Sequence, residues 1–106
     1  MQEAEFTTRI EQTLESLELA LDEVDGDIEY ENSGGVLTVE FENGSTMVFS
    51  RQLASLQLWL ATSSGGFHFE FDEAEADWRC TRSGALFKPF VVEQMRLDGN
   101  VILELE

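Results

Sequence analysis

Residues 36–50 alternate between apolar and polar side chains with the period of two that is typical of β-strands. In the first half of this stretch, Leu37, Val39 and Phe41 share one side of the chain, and the residues between them share the other. Asn43-Gly44 follows and predicts a hairpin closed by a type I′ turn. One face of the resulting sheet is predicted to be apolar, and the other is predicted to be open to solvent.

At the N-terminus a period close to 3.6 residues replaces this alternation and predicts a helix over residues 5–25. Gly26 follows this segment and offers the position of a left-handed C-terminal cap. The apolar residues that recur along the segment are Phe6, Ile10, Leu14, Leu17, Leu21 and Val24. This stripe predicts a single buried face.

Further short runs predict additional strands at residues 28–31, 56–62, 67–71 and 77–80. A second helix is predicted over residues 83–98, with Ser83 as its N-cap. Pro89 lies inside this range. The helix therefore either bends there or has a regular part that begins near Lys88.

The predicted order is one helix, five or six short strands and a second helix. It indicates an α+β fold, a two-layer sandwich in which both helices pack on one face of an antiparallel sheet. The apolar closing segment, residues 101–106, is expected to pack back onto this structure. The length predicts a single domain over residues 1–106.

Charge is the most unusual property of the chain, because 22 acidic and 6 basic residues give a net charge of −16. Such a charge disfavours binding to nucleic acid or anionic membranes and favours cations or a basic protein surface. The sequence has no signal-peptide pattern and no apolar run of membrane-spanning length. Its single cysteine agrees with a reducing compartment, so we expect a cytoplasmic protein.

Half of the acidic residues lie in the first third of the chain, where Arg9 is the only basic residue. Like charges one helical turn apart repel each other, and acidic groups at a helix C-terminus oppose the helix dipole. A surface selected only for solubility would mix both signs. We therefore favour a binding function over a merely solvated surface for these carboxylates: Glu11, Glu15, Glu18, Asp22, Glu23, Asp25, Asp27, Glu29 and Glu31.

Clustered carboxylates suit hard cations such as calcium, magnesium, manganese or iron. The segment is not an EF-hand, because Leu21 stands where the first ligand of such a loop would be. No histidine lies nearby to complete a mixed site. The open, repetitive arrangement predicts weak binding at several poorly selective sites.

Trp59 is predicted to point to the open face of the sheet. A large exposed aromatic residue indicates either an interface or a side chain covered by its cross-strand neighbours. His68 is interpreted as a surface strand residue rather than a ligand. Cys80 shares the phase of Trp78 and is interpreted as a small buried residue.

Several segments resemble the frataxin family in its bacterial, CyaY-type form. The resemblance covers nearly the whole chain, with a short gap near residues 27–28 and no signal in the last dozen residues. Besides the acidic first helix, it rests on Gly34-Gly35-Val36-Leu37-Thr38, Glu42-Asn43-Gly44-Ser45, Arg51-Gln52, Gln57-Leu58-Trp59-Leu60-Ala61, Gly65-Gly66-Phe67-His68-Phe69 and Trp78-Arg79-Cys80-Thr81-Arg82-Ser83-Gly84.

This resemblance implies an iron-binding, regulatory adaptor of iron–sulfur cluster assembly rather than an enzyme. It implies weak binding of Fe²⁺ or Fe³⁺, replaceable by other divalent cations, and a mostly monomeric protein. The acidic surface of the family corresponds to Glu18, Asp22, Glu23, Asp25, Asp27, Glu29 and Glu31, and we expect Glu11 and Glu15 to extend this metal-binding set. The implied partners are a cysteine desulfurase and an iron–sulfur scaffold protein. The residues expected to contact partners are Glu18, Asp22, Asp25, Thr38, Glu40, Gln57, Trp59 and His68.

Three alternatives belong to other classes. An acidic decoy that mimics nucleic acid would be indifferent to metal and would give Trp59 no special role. A general interaction module would bind proteins without metal dependence. An enzyme such as a ferroxidase is disfavoured, since the sequence contains no closed ligand set and no nucleophile–base pair.

Overall fold

The computed structural model describes residues 1–105 and contains two helices and six strands. A short 3₁₀ turn, Leu53–Ser55, connects the third and fourth strands. The helices are α1 (Glu3–Asp22) and α2 (Phe87–Gly99), and the strands are β1 (Ile28–Ser33), β2 (Val36–Phe41), β3 (Thr46–Gln52), β4 (Gln57–Thr62), β5 (Gly65–Asp72) and β6 (Asp77–Cys80). The strands form one antiparallel sheet in sequence order. This confirms the predicted α+β sandwich, with six strands.

Both helices cover the same face of the sheet, and the buried apolar side chains of the two layers form one cluster. Phe6 of α1 meets Trp78 of β6 edge to face, and Phe87 of α2 meets Phe49 of β3 in the same way. Leu103 is buried in this cluster, which confirms that the closing segment packs back as far as residue 105. Glu106 lies outside the described residues. No helix within residues 1–105 is long and apolar enough to cross a membrane.

The type I′ turn is not where the Asn-Gly pair predicted it. Gly34 and Gly35, which join β1 to β2, both have positive φ angles, 60° and 82°, as that turn requires. In the loop between β2 and β3 only Gly44 has a positive φ, and its N–H donates to the carbonyl of Phe41. The hairpin predicted at Asn43-Gly44 is confirmed, since β2 and β3 pair antiparallel, but its turn is not type I′ because Asn43 lacks the positive φ that this turn requires. The Asn43 side chain instead takes part in a tertiary contact, in which its Nδ2 donates to the Asp98 carbonyl.

The second helix begins at Phe87 and not at Ser83, whose Oγ instead accepts a hydrogen bond from the N–H of Ala85. Its first turn is capped from another element: Oδ2 of Asp77 in β6 accepts the N–H of Lys88 at 3.0 Å. Pro89 then occupies the third helical position, where a missing N–H costs nothing. The start near Lys88 was therefore the correct one of the two alternatives.

The first helix ends at Asp22, three residues earlier than predicted, and Gly26 does not form its left-handed cap. The N–H groups of Glu23 and Val24 donate to the carbonyls of Ala20 and Leu21, so the last turn tightens before Gly26 is reached. Gly26 has a φ of 123° and lies in the loop that leads to β1.

Candidate functional site

The carboxylates singled out from the sequence line one edge of the molecule, where α1 runs beside the outermost strand β1. We call this surface the acidic edge. Its members on α1 are Glu11, Glu15, Glu18 and Asp22, those in the following loop are Glu23, Asp25 and Asp27, and those on β1 are Glu29 and Glu31. All nine are exposed except Glu18, which is half-buried.

Two side chains of β1 hold carboxylates of α1. The Tyr30 hydroxyl donates to Oδ1 of Asp22 at 2.6 Å, and Nδ2 of Asn32 donates to Oε2 of Glu18 at 3.1 Å. The hydrogen bond to Asp22 raises the pKa of the Tyr30 phenol. Tyr30 and Asn32 were not predicted from the sequence to belong to this surface, although the alternation of β1 places them on the opposite side from Glu29 and Glu31.

The strand β1 divides the acidic edge between two faces of the sheet. Glu29 and Glu31 point to the open face, and Glu29 lies directly opposite Glu40 of β2 in the strand register. Asp22 and Glu18 lie on the helix side, against Tyr30 and Asn32. Within residues 1–105, no three carboxylate, histidine or cysteine side chains come close enough together to hold a metal ion. The nine carboxylates therefore do not form one chelating group.

Within residues 1–105, basic side chains form no ion pair with the acidic edge. In the part of the chain that the structure describes, the ion pairs join Arg9 to Glu5, Arg79 to Asp72 and Arg96 to Glu93, all away from this edge. The hydrogen bond from Arg79 holds the pKa of Asp72 below its ordinary value, as expected for a paired carboxylate. The last turn of α1 contains no basic residue. Its carboxylates are accordingly available to external cations.

A second candidate surface lies on the open face, at the centre of β4 and β5. The Trp59 and His68 rings are stacked, with centroids 4.1 Å apart and an interplanar angle of 7°. Nε1 of Trp59 donates to Oε1 of Gln57 at 2.8 Å, and Nε2 of Gln57 donates to Glu70 at 3.2 Å. Trp59 is half-buried, so its cross-strand neighbour covers part of the ring and leaves the rest available for contact.

The residues expected to bind partners on the open face fall into two groups. Gln57, Trp59 and His68 are adjacent across β4 and β5. Thr38 and Glu40 lie on β2, separated from β4 by β3, and face Glu31 and Glu29 of β1. The second group is therefore an extension of the acidic edge rather than a part of the Trp59 surface.

Cys80 is buried, as predicted. Burial acts to raise the pKa of its thiol, but hydrogen bonds from Ser83 and Arg82 and the Arg82 charge outweigh burial and lower it. Arg82, two residues further along the chain, is thus a basic neighbour of this thiol. With only 4% of the residue exposed, the sulfur is not readily reached from solvent.

Comparison with known proteins shows which family the chain belongs to. The family model of the frataxin-like domain matches residues 1–100. The chain belongs to the frataxin family. The match includes α1, the whole sheet and α2, and thus both candidate surfaces.

Bacterial frataxins align with the chain over most of its length. The iron–sulfur cluster assembly protein CyaY of Pseudomonas fluorescens strain Pf-5 is 47% identical over 108 aligned positions, covering 98% of this chain and 94% of the relative. The CyaY protein of strain Pf0-1 is 52% identical over 83 residues, covering 78% of this chain and 76% of the relative. The solved structure of frataxin from Psychromonas ingrahamii matches with a TM-score of 0.89 and 29% identity, over 98% of this chain and 97% of that chain.

Proposed function

We propose that this chain is an iron-binding regulatory adaptor of iron–sulfur cluster assembly. The observation that carries the proposal is its membership of the frataxin family, together with relatives named as cluster assembly proteins that align with nearly its whole length. It acts by binding iron and protein partners, not by catalysing a reaction. Iron is cargo or signal in this function rather than a resident cofactor.

Iron binds to the acidic edge. Carboxylate oxygens are the ligands that hard cations prefer, and Glu18 and Asp22 lie one helical turn apart on the exposed side of α1. The carboxylates are spread over a helix, a loop and a strand, so Fe²⁺ or Fe³⁺ binds weakly, at more than one place and in competition with other divalent cations.

The partners are a cysteine desulfurase and an iron–sulfur scaffold protein, each bound by a different surface. The acidic edge attracts a basic surface of the desulfurase over a distance, which mainly raises the association rate. The Trp59 surface contacts the scaffold, or the desulfurase–scaffold complex, through short-range burial, which mainly slows dissociation. Both surfaces are reached without entering the covered face of the sheet.

The proposal is tested by reconstituting cluster assembly from a purified desulfurase, a scaffold protein, cysteine and Fe²⁺. Adding this chain should change the rate of cluster formation on the scaffold, and the change should depend on the iron concentration. A variant in which Glu18, Asp22 and Asp25 are all replaced by the corresponding amides should lose most of that effect. A rate that does not respond to the chain at any iron concentration would reject the proposal.

Stopped-flow binding at two ionic strengths separates the two surfaces. The triple amide variant should associate with the desulfurase more slowly and with a weaker salt dependence, because it lacks part of the attracting charge. Trp59→Ala should keep that salt dependence and should dissociate faster from the scaffold or the complex. If Trp59→Ala folds and changes neither rate with any partner, the Trp59 surface has no part in binding.

A further inference from the structure

A cleft of about 190 Å³ lies at the β6 side of the sheet, opposite the acidic edge. One wall is α1, a second is the end of β5 with the start of β6, and a third is the first turn of α2. Leu105 of the closing segment completes the lining. An engineered protein cavity of about 150 Å³ holds one benzene molecule. The cleft can therefore accept a ligand with a single aromatic ring.

The walls of the cleft combine apolar and cationic side chains. Phe71, Phe87 and Leu105 supply apolar surface. Arg9 and Lys88 supply positive charge, and both are half-buried. The guanidinium carbon of Arg9 lies 4.8 Å from the centre of the Phe71 ring, in a cation–π contact that holds this charge at the cleft. Such a lining suits a ligand with an apolar body and an anionic group.

The polar groups of the lining are incompletely paired. Within residues 1–105, the ammonium group of Lys88 forms no ion pair and no hydrogen bond. The ion pair between Arg9 and Glu5 is long, with Nε of Arg9 4.0 Å from Oε2 of Glu5. The side chains of Gln12 and Ser16 also line the cleft and form no hydrogen bond with the described part of the chain. Donors for an anionic ligand are therefore available on both helices.

One carboxylate belongs to the lining, but its hydrogen bonds are already made. Asp77 is buried, and its two oxygens accept the backbone N–H groups of Trp78 and Lys88. The lining thus contains two positive charges and one negative charge, which leaves a net charge of +1. This balance favours a singly charged anion over a doubly charged one.

The acidic edge repels anions only weakly at this place. Thr13 of α1 bonds to β6, whereas Asp22 of the same helix bonds to β1. The nine residues between them correspond to a rise of about 13.5 Å, longer than the screening length of about 8 Å at physiological salt. Glu11 and Glu15 are nearer, but helical rotation turns them about 160° and 120° away from Arg9.

We propose that this cleft binds a small aromatic monocarboxylate. The ring packs against Phe71 and Leu105, and the charges of Arg9 and Lys88 hold the carboxylate through charge-assisted hydrogen bonds. The site is separate from the acidic edge and from the Trp59 surface, so its occupancy requires neither iron nor a protein partner.

Benzoate is the probe, and the signal of the Trp78 indole N–H in a ¹⁵N-correlated NMR spectrum of the full chain is the readout. Trp78 lines the cleft, whereas Trp59, the other tryptophan, lies on the open face and is an internal reference. Benzoate should shift the Trp78 signal saturably, with a dissociation constant of about 0.1–10 mM, and should leave the Trp59 signal in place. Benzyl alcohol, which has the ring without the charge, should bind at least about threefold more weakly.

Charge variants identify the groups that hold the carboxylate. Arg9→Gln and Lys88→Gln should each weaken benzoate binding by roughly three- to tenfold. Lys88→Gln retains the backbone N–H that Asp77 accepts, so the start of α2 stays capped. The matched control is Arg82→Gln, which removes the same charge from the exposed loop after β6, outside the cleft. It should change benzoate affinity by less than about twofold.

Three results would overturn this assignment. The first is a Trp78 signal that does not shift saturably with benzoate, and the second is equal affinity for benzoate and benzyl alcohol. The third is tighter binding of inorganic phosphate than of benzoate, which would exclude a preference for carboxylates. Equal losses in Lys88→Gln and Arg82→Gln would likewise show that only the net charge of the chain matters. Cluster assembly is measured without benzoate, so each of these results leaves the proposed function untouched.

Discussion

The helices α1 and α2 lie on the same face of the sheet but are secured in different ways. The sheet layer caps both ends of α2: Asp77 of β6 accepts the N–H of Lys88 at its start, and Asn43 and Ser45 of the loop between β2 and β3 donate to the carbonyl of Asp98 near its end. The longer α1 has no side-chain cap at its N-terminus and ends in acidic residues that its dipole opposes.

This difference shows how the fold accommodates a repelling surface. The buried side of α1 supplies five core residues, so apolar packing keeps the helix in place although its exposed side is poorly matched to helix electrostatics. The carboxylates at the C-terminal end of α1 are thus not what holds this helix in place, whereas the polar groups at the ends of α2 stabilise their helix. Substitutions at the ends of the two helices should therefore change stability in opposite directions.

The largest effect is expected at the C-terminus of α2. A Cβ atom on Gly99 would lie 2.3 Å from Cδ1 of Phe41, so Gly99→Ala should lower the free energy of unfolding by about 1–3 kcal/mol. At an unconstrained helical position the same change would stabilise by roughly 0.5–1 kcal/mol. Urea unfolding measures whether Gly99→Ala raises or lowers the free energy of unfolding. Leu97→Ala, at an exposed position of α2, is the control. A stabilised Gly99→Ala variant would mean that Phe41 moves aside without cost.

An effect of intermediate size is expected at the N-terminus of the same helix. Asp77→Ala leaves the N–H groups of Lys88 and Trp78 without their acceptor in a buried place, and should cost about 1–2 kcal/mol. The exposed Glu75 lies two residues before Asp77, in the turn between β5 and β6, and Glu75→Ala should change stability by less than about 0.5 kcal/mol. Equal losses in the two variants, measured by urea unfolding, would show that Asp77 does not act as the cap.

The smallest effect, of opposite sign, is expected at the end of α1. Glu23→Gln removes a negative charge from the helix C-terminus and should stabilise the protein by about 0.3–1 kcal/mol at low ionic strength, with the gain shrinking as salt is added. Asp22→Asn should gain less, because it weakens the bond from Tyr30. Thermal unfolding at two salt concentrations, with Glu73→Gln as the control, checks this order. Destabilisation by Glu23→Gln would mean that the carboxylate is structural.

The periodic patterns alone predicted most of the fold. The stripe from Phe6 to Leu21 and the alternation around Leu37, Val39 and Phe41 are local signals, and burial of these side chains determines which face turns inward. The outward orientation of Trp59 followed from the alternation of β4.

Features that depend on residues far apart in sequence were decided only by the tertiary structure. The Asn43 amide contacts α2, 55 residues away, and the first turn of α2 is capped not by Ser83 but by Asp77 of a strand. Tyr30 and Asn32 contact the carboxylates of the acidic edge because the fold places β1 beside α1. Hydrophobic periodicity is a property of neighbouring residues and can be read locally, whereas a polar side chain bonds to whichever partner folding brings near, and a local pattern cannot identify that partner.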